Sequence, residues 1–466
     1  MGDLLWIAGK ALLISLILTP IVRDIFRSYN MVDRPGHRKV HAYPIPRVGG
    51  IAIAIAYGAS LITGFGTDSA AAPSVWKLLP AAAIVFLTGL MDDFFSLKPL
   101  FKIAGLVAAA SVAFFSGLHV GDLAAQPLPV LLDYPLTVFW LLLTSNALNL
   151  IDGLDGLCAG MGLMATLTLF FAAMLHHNVP LAQATLPLAA ALLGFLCYNI
   201  NPATVFLGDS GALLIGFLLG CYGMIWTQKA STVLSMLVPL LALSIPLLDV
   251  SLSVLRRFLR RQPIFAADRR HIHHRLLDRG FSARQAVWVL YLFAALAAAL
   301  ALLSTSSLGG KSQGVVIGLF CVAAWIGIRQ LRYSEFDIAG HFLFGGGFKR
   351  AMDGGLKLDR LISELERSSD EDTWWNSLIA CGLDLGLMEI RWDGQQGSRV
   401  RSLSPQKASS WSFRVWITNT DSIEIVGGQA EALASFDFMK FAETVRRTFH
   451  ANRAPQPAEA SATATS

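Results

Sequence analysis

Asn146, Asn149, Asp152 and Asp155 stand three residues apart, with Gly153 and Gly156 beside the two acids. They lie between apolar runs long enough to cross a membrane, where ionisable groups are costly and are usually kept for a function. Carboxylates and carboxamides are hard oxygen ligands of the kind Mg²⁺ takes. No Lys or Arg occurs within the stretch, so these residues suggest a divalent cation rather than an ion pair. On an ideal helix a step of three drifts by ~60°, so the four side chains would spiral over half a turn unless the helix ended. The two glycines supply that end. The spacing therefore predicts Asn146 and Asn149 at the close of one helix, with Asp152 and Asp155 on the turn into the next. A capped turn uses the same residue types, but it needs fewer of them.

Four further clusters could do chemistry. Asp92 and Asp93 follow an apolar run, and two adjacent carboxylates repel unless a cation or a proton relieves them. They are candidates for a general base and for an organiser of a metal or a lipid phosphate, although solvated interface charges would look alike. Phe206-Leu-Gly-Asp209-Ser-Gly opens another apolar run. Asp and Ser are ordinary helix caps, while a functional reading gives Asp209 to a metal and Phe206 to stacking on a base. Arg270, His271, His273 and His274 form a basic, His-rich patch whose donors suit a diphosphate; zinc lacks a fourth ligand at this spacing. The turn-rich loop from Asp33 to Gly50 carries Lys39, His41 and Arg47, either for an anionic headgroup or as plain basic loop content. Asp249 lies about 10 Å along a helix from the basic edge at Arg256, as a further site candidate or a partner for an arginine.

These groups must be positioned by membrane helices. Of 466 residues, 54% are hydrophobic and only 15% charged, against roughly 25% charged in soluble domains. About eleven apolar runs of roughly 16–22 residues approach the ~20 that a bilayer requires. They begin near Leu4, Gly49, Trp76, Phe101, Val130, Gly156, Leu181, Gly211, Thr232, Ala286 and Gln313. The expected fold is thus an all-α polytopic membrane protein with a small C-terminal cytoplasmic α+β domain. The N-terminus reads as a retained first helix rather than a signal peptide. Basic residues fill alternate loops, and the positive-inside rule puts those loops in the cytoplasm, with the N-terminus outside. All the polar clusters then fall on the cytoplasmic side, where one shared site is expected. The five cysteines form no CxxC pair and read as inert thiols.

No glutamate precedes Glu335, and glutamates then recur to the end. That shift divides a membrane core over residues 1–334 from an accessory domain over 335–452. Helices are expected over Leu356–Arg367, Glu371–Leu383 and Ala430–Phe449, and strands over Met388–Trp392, Ser412–Ile417 and Ser422–Val426. Residues 453–466, rich in Ala, Pro, Ser and Thr, have the composition of a disordered tail.

Taken together, the motifs resemble the polyprenyl-phosphate N-acetylhexosamine-1-phosphate transferase family. Five pieces occur in order: Pro44 to Gly50, Asp92-Asp93, Asn146 to Gly156, Phe206 to Gly211, and His271 to His274. The His-Ile-His-His form is similar to the WecA/TagO branch, with the peptidoglycan MraY enzymes more distant. A third acid often follows the Asp pair in that family, and here the position holds Ser96. The resemblance implies transfer of N-acetylhexosamine-1-phosphate, GlcNAc-1-phosphate foremost, from a UDP-sugar to undecaprenyl phosphate at the inner membrane, with release of UMP. It implies Mg²⁺, or Mn²⁺ in its place, at Asp209. Asp92 and Asp93 would organise or deprotonate the lipid phosphate, with Asp92 the preferred base. Asn149, Asp152 and Phe206 would hold the nucleoside, with Asp155 in support. Arg270, His271, His273 and His274 would hold the diphosphate or sugar, and Lys39, His41 and Arg47 the lipid phosphate. A second copy of the chain and later glycosyltransferases are candidate partners; nucleic acid is not. Two alternatives stand beside this reading: a modified UDP-N-acetylhexosamine, which would leave every motif unchanged, and a multi-span transporter, whose polar groups should lie near the bilayer midplane.

Overall fold

Apolar runs that must satisfy their own backbone hydrogen bonds away from water do so as helices, and the first unit of the chain is built from them. The computed structural model describes residues 2–33, 44–64, 76–123, 126–228, 236–259, 271–305, 310–330, 360–368, 370–384, 387–394, 397–403, 411–418, 420–427 and 438–453. The chain separates into two units, Met1–Tyr333 and Ser334–Ser466.

The first unit runs α1 (Gly2–Ser28), α2 (Gly49–Gly64), α3 (Leu78–Phe95), α4 (Pro99–Phe115), a small hairpin of β1 (Asp122–Leu123) and β2 (Gln126–Pro127), then α5 (Val130–Ile151), α6 (Leu157–Leu175), α7 (Val179–Asn199) and α8 (Gly208–Gln228). It continues through α9 (Leu237–Ala242), α10 (Ser244–Leu259), α11 (Ile272–Asp278), α12 (Ala283–Ser304) and α13 (Gly310–Gln330). Among the described residues, seven of these helices (α1, α3, α5, α6, α7, α8 and α12) are long and apolar enough to cross a membrane, and three shorter apolar helices accompany them. The chain is a multi-pass membrane protein.

Helix α8 is the axis of the bundle. Of its most apolar window 94% is buried, against 33% for α3 and 39% for α12, so it meets protein on all sides where the others show a face to lipid. Its first turn is approached closely by two neighbours. A Cβ on Gly50 would lie 2.3 Å from the Gly211 nitrogen, and one on Gly89 2.6 Å from the Ser210 Cα. Any side chain at these two positions would push α2 and α3 away from the turn that carries Asp209.

The run expected from Thr232 is not one helix. Residues 229–235 lie outside the described residues, and the remainder is α9 and α10 separated at Leu243. Pro246 has no N–H to give Ala242, which interrupts the ladder at that point.

The second unit holds a helical segment over 360–367, α14 (Glu371–Asp384), β3 (Leu387–Gly394), β4 (Gly397–Ser402), β5 (Trp411–Trp416), β6 (Ser422–Gly427) and α15 (Phe438–Arg453). The strands form one antiparallel sheet in the order β4-β3-β6-β5. Alternate residues Ile390, Trp392, Ile423, Ile425 and Val415 bury one face against Trp374, Leu378, Phe441, Val445 and Phe449 of the helices. Strand β4 was not among the expected strands. It is an edge strand exposed along its whole length, held by its ladder to β3 rather than by burial, so it carries no apolar alternation to read. The expected tail over 454–466 lies outside the described residues.

Candidate active site

The carboxylates meet at one end of the bundle, where α3 and α5 finish and α4 and α8 begin. Helix α3 is closed by Ser96, which takes a left-handed conformation (φ 48°, ψ 69°) and donates its N–H to the Asp92 carbonyl at 2.9 Å. Pro99 then starts α4 with its φ already helical. This tight reversal turns Lys102 back over the end of α3.

Lys102 Nζ donates to Asp92 Oδ2 at 2.9 Å and to Asn149 Oδ1 at 3.2 Å, and it also bonds Asp209 Oδ2. Three elements are thus pinned by one ammonium group. Asp92 is held further by the Leu97 N–H, which donates to its Oδ1 at 2.7 Å. The absence of basic residues beside Asn146–Gly156 holds along the chain but not in space. Lys102 was missed by the motif reading, and its one sequence signal is a charge inside an otherwise apolar helix.

Asp93 does something different. Its Oδ1 accepts the Asp209 N–H at 2.8 Å and its Oδ2 the Ser210 N–H at 2.9 Å. It therefore caps α8 from another helix, satisfying two of the donors that a helix start leaves open. A negative charge is also favourable at that end of the helix dipole.

The Asn146–Gly156 stretch runs from the last turns of α5 into a turn before α6, as its spacing suggests. Asn146 donates to the Leu142 carbonyl of its own helix at 2.8 Å and takes no part in the convergence. Asp152 is half-buried. Loss of hydration, followed by the negative charge of Asp209, pushes its pKa up to about 8; Arg47 pulls the other way, and Asp93 and Asp155 add smaller pushes. Asp155 Oδ2 accepts from Asn201 Nδ2 and from the Ala203 N–H, both at 3.0 Å. Buried Asn199 braces the same corner, accepting the Gly156 N–H at 3.1 Å and donating to the Val205 carbonyl at 2.9 Å. These bonds tie the acidic turn to the strand-like segment that carries Phe206.

Phe206 pairs by its backbone with the loop before α2. Its N–H donates to the Pro46 carbonyl at 2.9 Å, and its carbonyl accepts the Gly49 N–H at 2.9 Å. Arg47 lies opposite it in a parallel bridge and pairs with Asp33 at 2.9 Å. Lys39, His41 and Arg270 lie outside the described residues.

The histidines form the facing wall. His273 is 1% exposed, and among the described residues neither of its ring nitrogens has a hydrogen-bond partner. Burial, with help from His274, lowers its pKa to about 3, so the ring is neutral. Its Nε2 lies 2.3 Å from where a Cβ of Gly153 would stand. Only a glycine at that position lets the ring close over the acidic turn. His271 stacks on His273 with centroids 5.7 Å apart, and His274 is tilted 4.3 Å from His273. Asp249 turns out to partner His271 rather than an arginine, at 2.9 Å. From α12, Tyr291 donates to the Gly156 carbonyl at 2.6 Å, joining the helix after the histidines to the same turn.

Among the described residues no three His, Cys, Asp or Glu side chains make a ready metal cage. The donor set nevertheless fits a divalent cation. Two carboxylate oxygens and one amide oxygen already converge on a positive charge at Lys102, and Mg²⁺ is commonly held by one or two carboxylates plus water and substrate phosphates.

The sequence matches the model of glycosyl transferase family 4 over residues 75–227. It is also 34% identical over 327 residues to a probable undecaprenyl-phosphate N-acetylglucosaminyl 1-phosphate transferase of Bacillus subtilis, covering 69% of this chain and 88% of that protein. The chain belongs to glycosyl transferase family 4. Two more relatives agree with that placement. A decaprenyl-phosphate N-acetylglucosaminephosphotransferase of Mycobacterium tuberculosis is 32% identical, over 69% of this chain and 87% of its own length. An undecaprenyl-phosphate alpha-N-acetylglucosaminyl 1-phosphate transferase of Escherichia coli is 28% identical, over 74% and 90%. The family 4 match contains Asp92, Asp93, Lys102, Asn149, Asp152, Asp155, Phe206 and Asp209, while the histidine wall lies beyond its end.

Proposed function

We propose that this family 4 protein transfers an N-acetylhexosamine-1-phosphate, GlcNAc-1-phosphate foremost, from its UDP-sugar to undecaprenyl phosphate. An oxygen of the lipid phosphate forms a bond to the sugar-bearing phosphorus. The bond from that phosphorus to the bridging oxygen breaks, and UMP leaves with the electron pair. The product is a polyprenyl diphospho-sugar, the start of a lipid-linked envelope polysaccharide.

The observation that carries this reading is the convergence of Asp92, Asn149 and Asp209 on Lys102 at one end of an apolar helix bundle. Two anionic substrates, one soluble and one in the bilayer, can meet only at such an edge, and their reaction requires fixed positive charge. A transporter would place its polar groups near the middle of the helices, and here they stand at helix ends.

Asp209 would hold Mg²⁺ or Mn²⁺, with Asp92 beside it on Lys102. The metal, when bound, would draw charge from the phosphoryl oxygens. Asp92 would be the base, because it stands with Asp209 and Asn149 around Lys102, whereas Asp93 is turned to the backbone N–H groups that start α8. Lys102 would neutralise the phosphates. Asn149 and Asp152 would hold the nucleoside with Phe206 against the uracil, and His271, His273 and His274 the diphosphate or sugar. By the positive-inside rule, we read eleven crossings of the inner membrane, with the site and residues 335–452 in the cytoplasm. That accessory unit would serve regulation, self-association or recruitment of later glycosyltransferases.

The test is UMP release by the purified full-length protein given UDP-GlcNAc and undecaprenyl phosphate. Release that requires both the lipid and Mg²⁺ is expected. No release with any UDP-N-acetylhexosamine in a panel would sink the proposal.

A further inference from the structure

We propose that Asp249 is a positioning residue for His271: it fixes which ring nitrogen carries the hydrogen and which one meets substrate. Both side chains are almost fully buried, Asp249 at 1% and His271 at 5% exposure. Asp249 Oδ2 lies 2.9 Å from His271 Nδ1, and its Oδ1 accepts the Ile272 N–H at 2.8 Å. One carboxylate therefore holds the start of α11 and the imidazole at the same time. Ser253, one turn along α10 on the same face, places its hydroxyl 3.5 Å from the same nitrogen.

A carboxylate only accepts hydrogen bonds, so Nδ1 is the donor. In an imidazole, the bond made by one nitrogen sets the state of the other. The neutral ring thus offers Nε2 as an acceptor, and the doubly protonated ring offers it as a donor to a phosphoryl oxygen. In neither state does Nδ1 leave Asp249. The contrast with His273 supports the assignment. That ring, stacked parallel on His271, has no carboxylate and keeps both nitrogens without partners among the described residues.

Asp249→Asn separates orientation from capping. Its amide oxygen stays on the Ile272 N–H, since two donors facing each other repel. The amide nitrogen must then face Nδ1 and donate to it, which moves the hydrogen to Nε2. Size and helix cap are kept, and the tautomer is reversed.

What His271 meets rests on the transferase reading; the tautomer does not. We expect the ¹⁵N spectrum of the full-length protein to show His271 with hydrogen on Nδ1, and Asp249→Asn to shift it to Nε2. We expect UMP release by Asp249→Asn to fall by roughly ten- to a hundredfold, the usual scale for removing a carboxylate behind a working histidine. In a His271→Ala background the same change should cost less than about twofold more, because residues acting as one unit are not additive. A wild-type ring carrying its hydrogen on Nε2 alone would overturn the proposal, as would a full additional loss in the His271→Ala background. The wild-type spectrum decides even if Asp249→Asn fails to fold. Wild-type protein that releases no UMP would defeat the transferase reading instead, with the tautomer still measurable.

Discussion

The two walls of the site handle polar groups near a membrane in opposite ways. On the carboxylate wall three acids have partners: Asp92 and Asp209 share Lys102, and Asp93 takes two backbone N–H groups. On the histidine wall, His273 is buried with both nitrogens unmatched among the described residues. The difference follows from cost. An unpaired buried charge is penalised by several kcal/mol, so the acids must be neutralised before any substrate arrives. A neutral imidazole without a partner costs only about 1–3 kcal/mol, and a site can carry that until a ligand supplies the bond. The first wall is thus neutralised in advance, whereas His273 keeps a neutral ring with unmatched nitrogens.

The largest effects should therefore come from breaking the charge balance. Asp209→Asn is expected to lower UMP release by about 10³-fold, on the scale of removing a principal electrostatic group. Lys102→Met should match that loss and also destabilise the fold by roughly 3–5 kcal/mol, since it leaves two acids uncompensated. Thermal unfolding in detergent, run beside the activity assay, tests this directly. A Lys102→Met protein as stable as wild type would mean that the ammonium does not hold the wall together.

Asp92 and Asp93 sharpen the comparison within that wall. Asp92→Asn should lower turnover by about 10²-fold, as expected for a lost general base, with a smaller drop in the unfolding midpoint because Asp209 and Asn149 still hold Lys102. Asp93→Asn should lower the midpoint as well, by the ~1–3 kcal/mol of a helix start left with an unmatched donor. Equal stability losses in the two variants would erase the distinction between base and cap.

How much of this was legible in the sequence depended on the range of the interaction. The helices show as long apolar runs, and the Asn146–Gly156 turn shows because glycine and spacing act locally. Lys102 did not show as part of the site, because its partners lie ten, 47 and 107 residues away, and only the left-handed turn at Ser96 brings it to them. Asp93 read as the twin of Asp92, since adjacency in the chain does not reveal that one carboxylate faces the start of α8. The break at Leu243 has a local cause in Pro246, yet hydropathy averaged over a window hides it. Strand β4 was missed because an exposed edge leaves no alternation to detect.

On the histidine wall smaller effects are expected, with a distinct dependence on pH. His273→Phe keeps a planar ring over Gly153 and removes both nitrogens. UMP release should drop by roughly tenfold, the ~1.4 kcal/mol of one ordinary hydrogen bond. Stability should move the other way. The unfolded imidazole binds a proton below about pH 6.5, whereas the folded one stays neutral down to about 3. Wild type therefore loses stability as pH falls from 6.5 towards 3, and the Phe variant escapes that loss, which amounts to about 2 kcal/mol at pH 5. Unfolding midpoints at pH 5 and pH 8 should show the variant gaining on wild type at the lower value. A constant difference between the two would show that His273 is not held neutral.

The smallest effect should come from the second unit. It has its own core, in which Trp374, Trp392 and Phe449 pack edge to face with Ile390 and Ile425 beside them. Its sheet leaves β4 and β5 as edges and sets arginines against glutamates on its other face, Arg414 to Glu424 at 2.8 Å and Arg391 to Glu389 at 3.0 Å. Such exposed pairs contribute little to stability in water. Removing residues 340–466 should leave basal UMP release within about twofold, because the groups that supply the electrostatic stabilisation all stay behind. A loss approaching that of Asp209→Asn would mean that the carboxylate wall depends on the second unit and is not set in advance by the helix bundle.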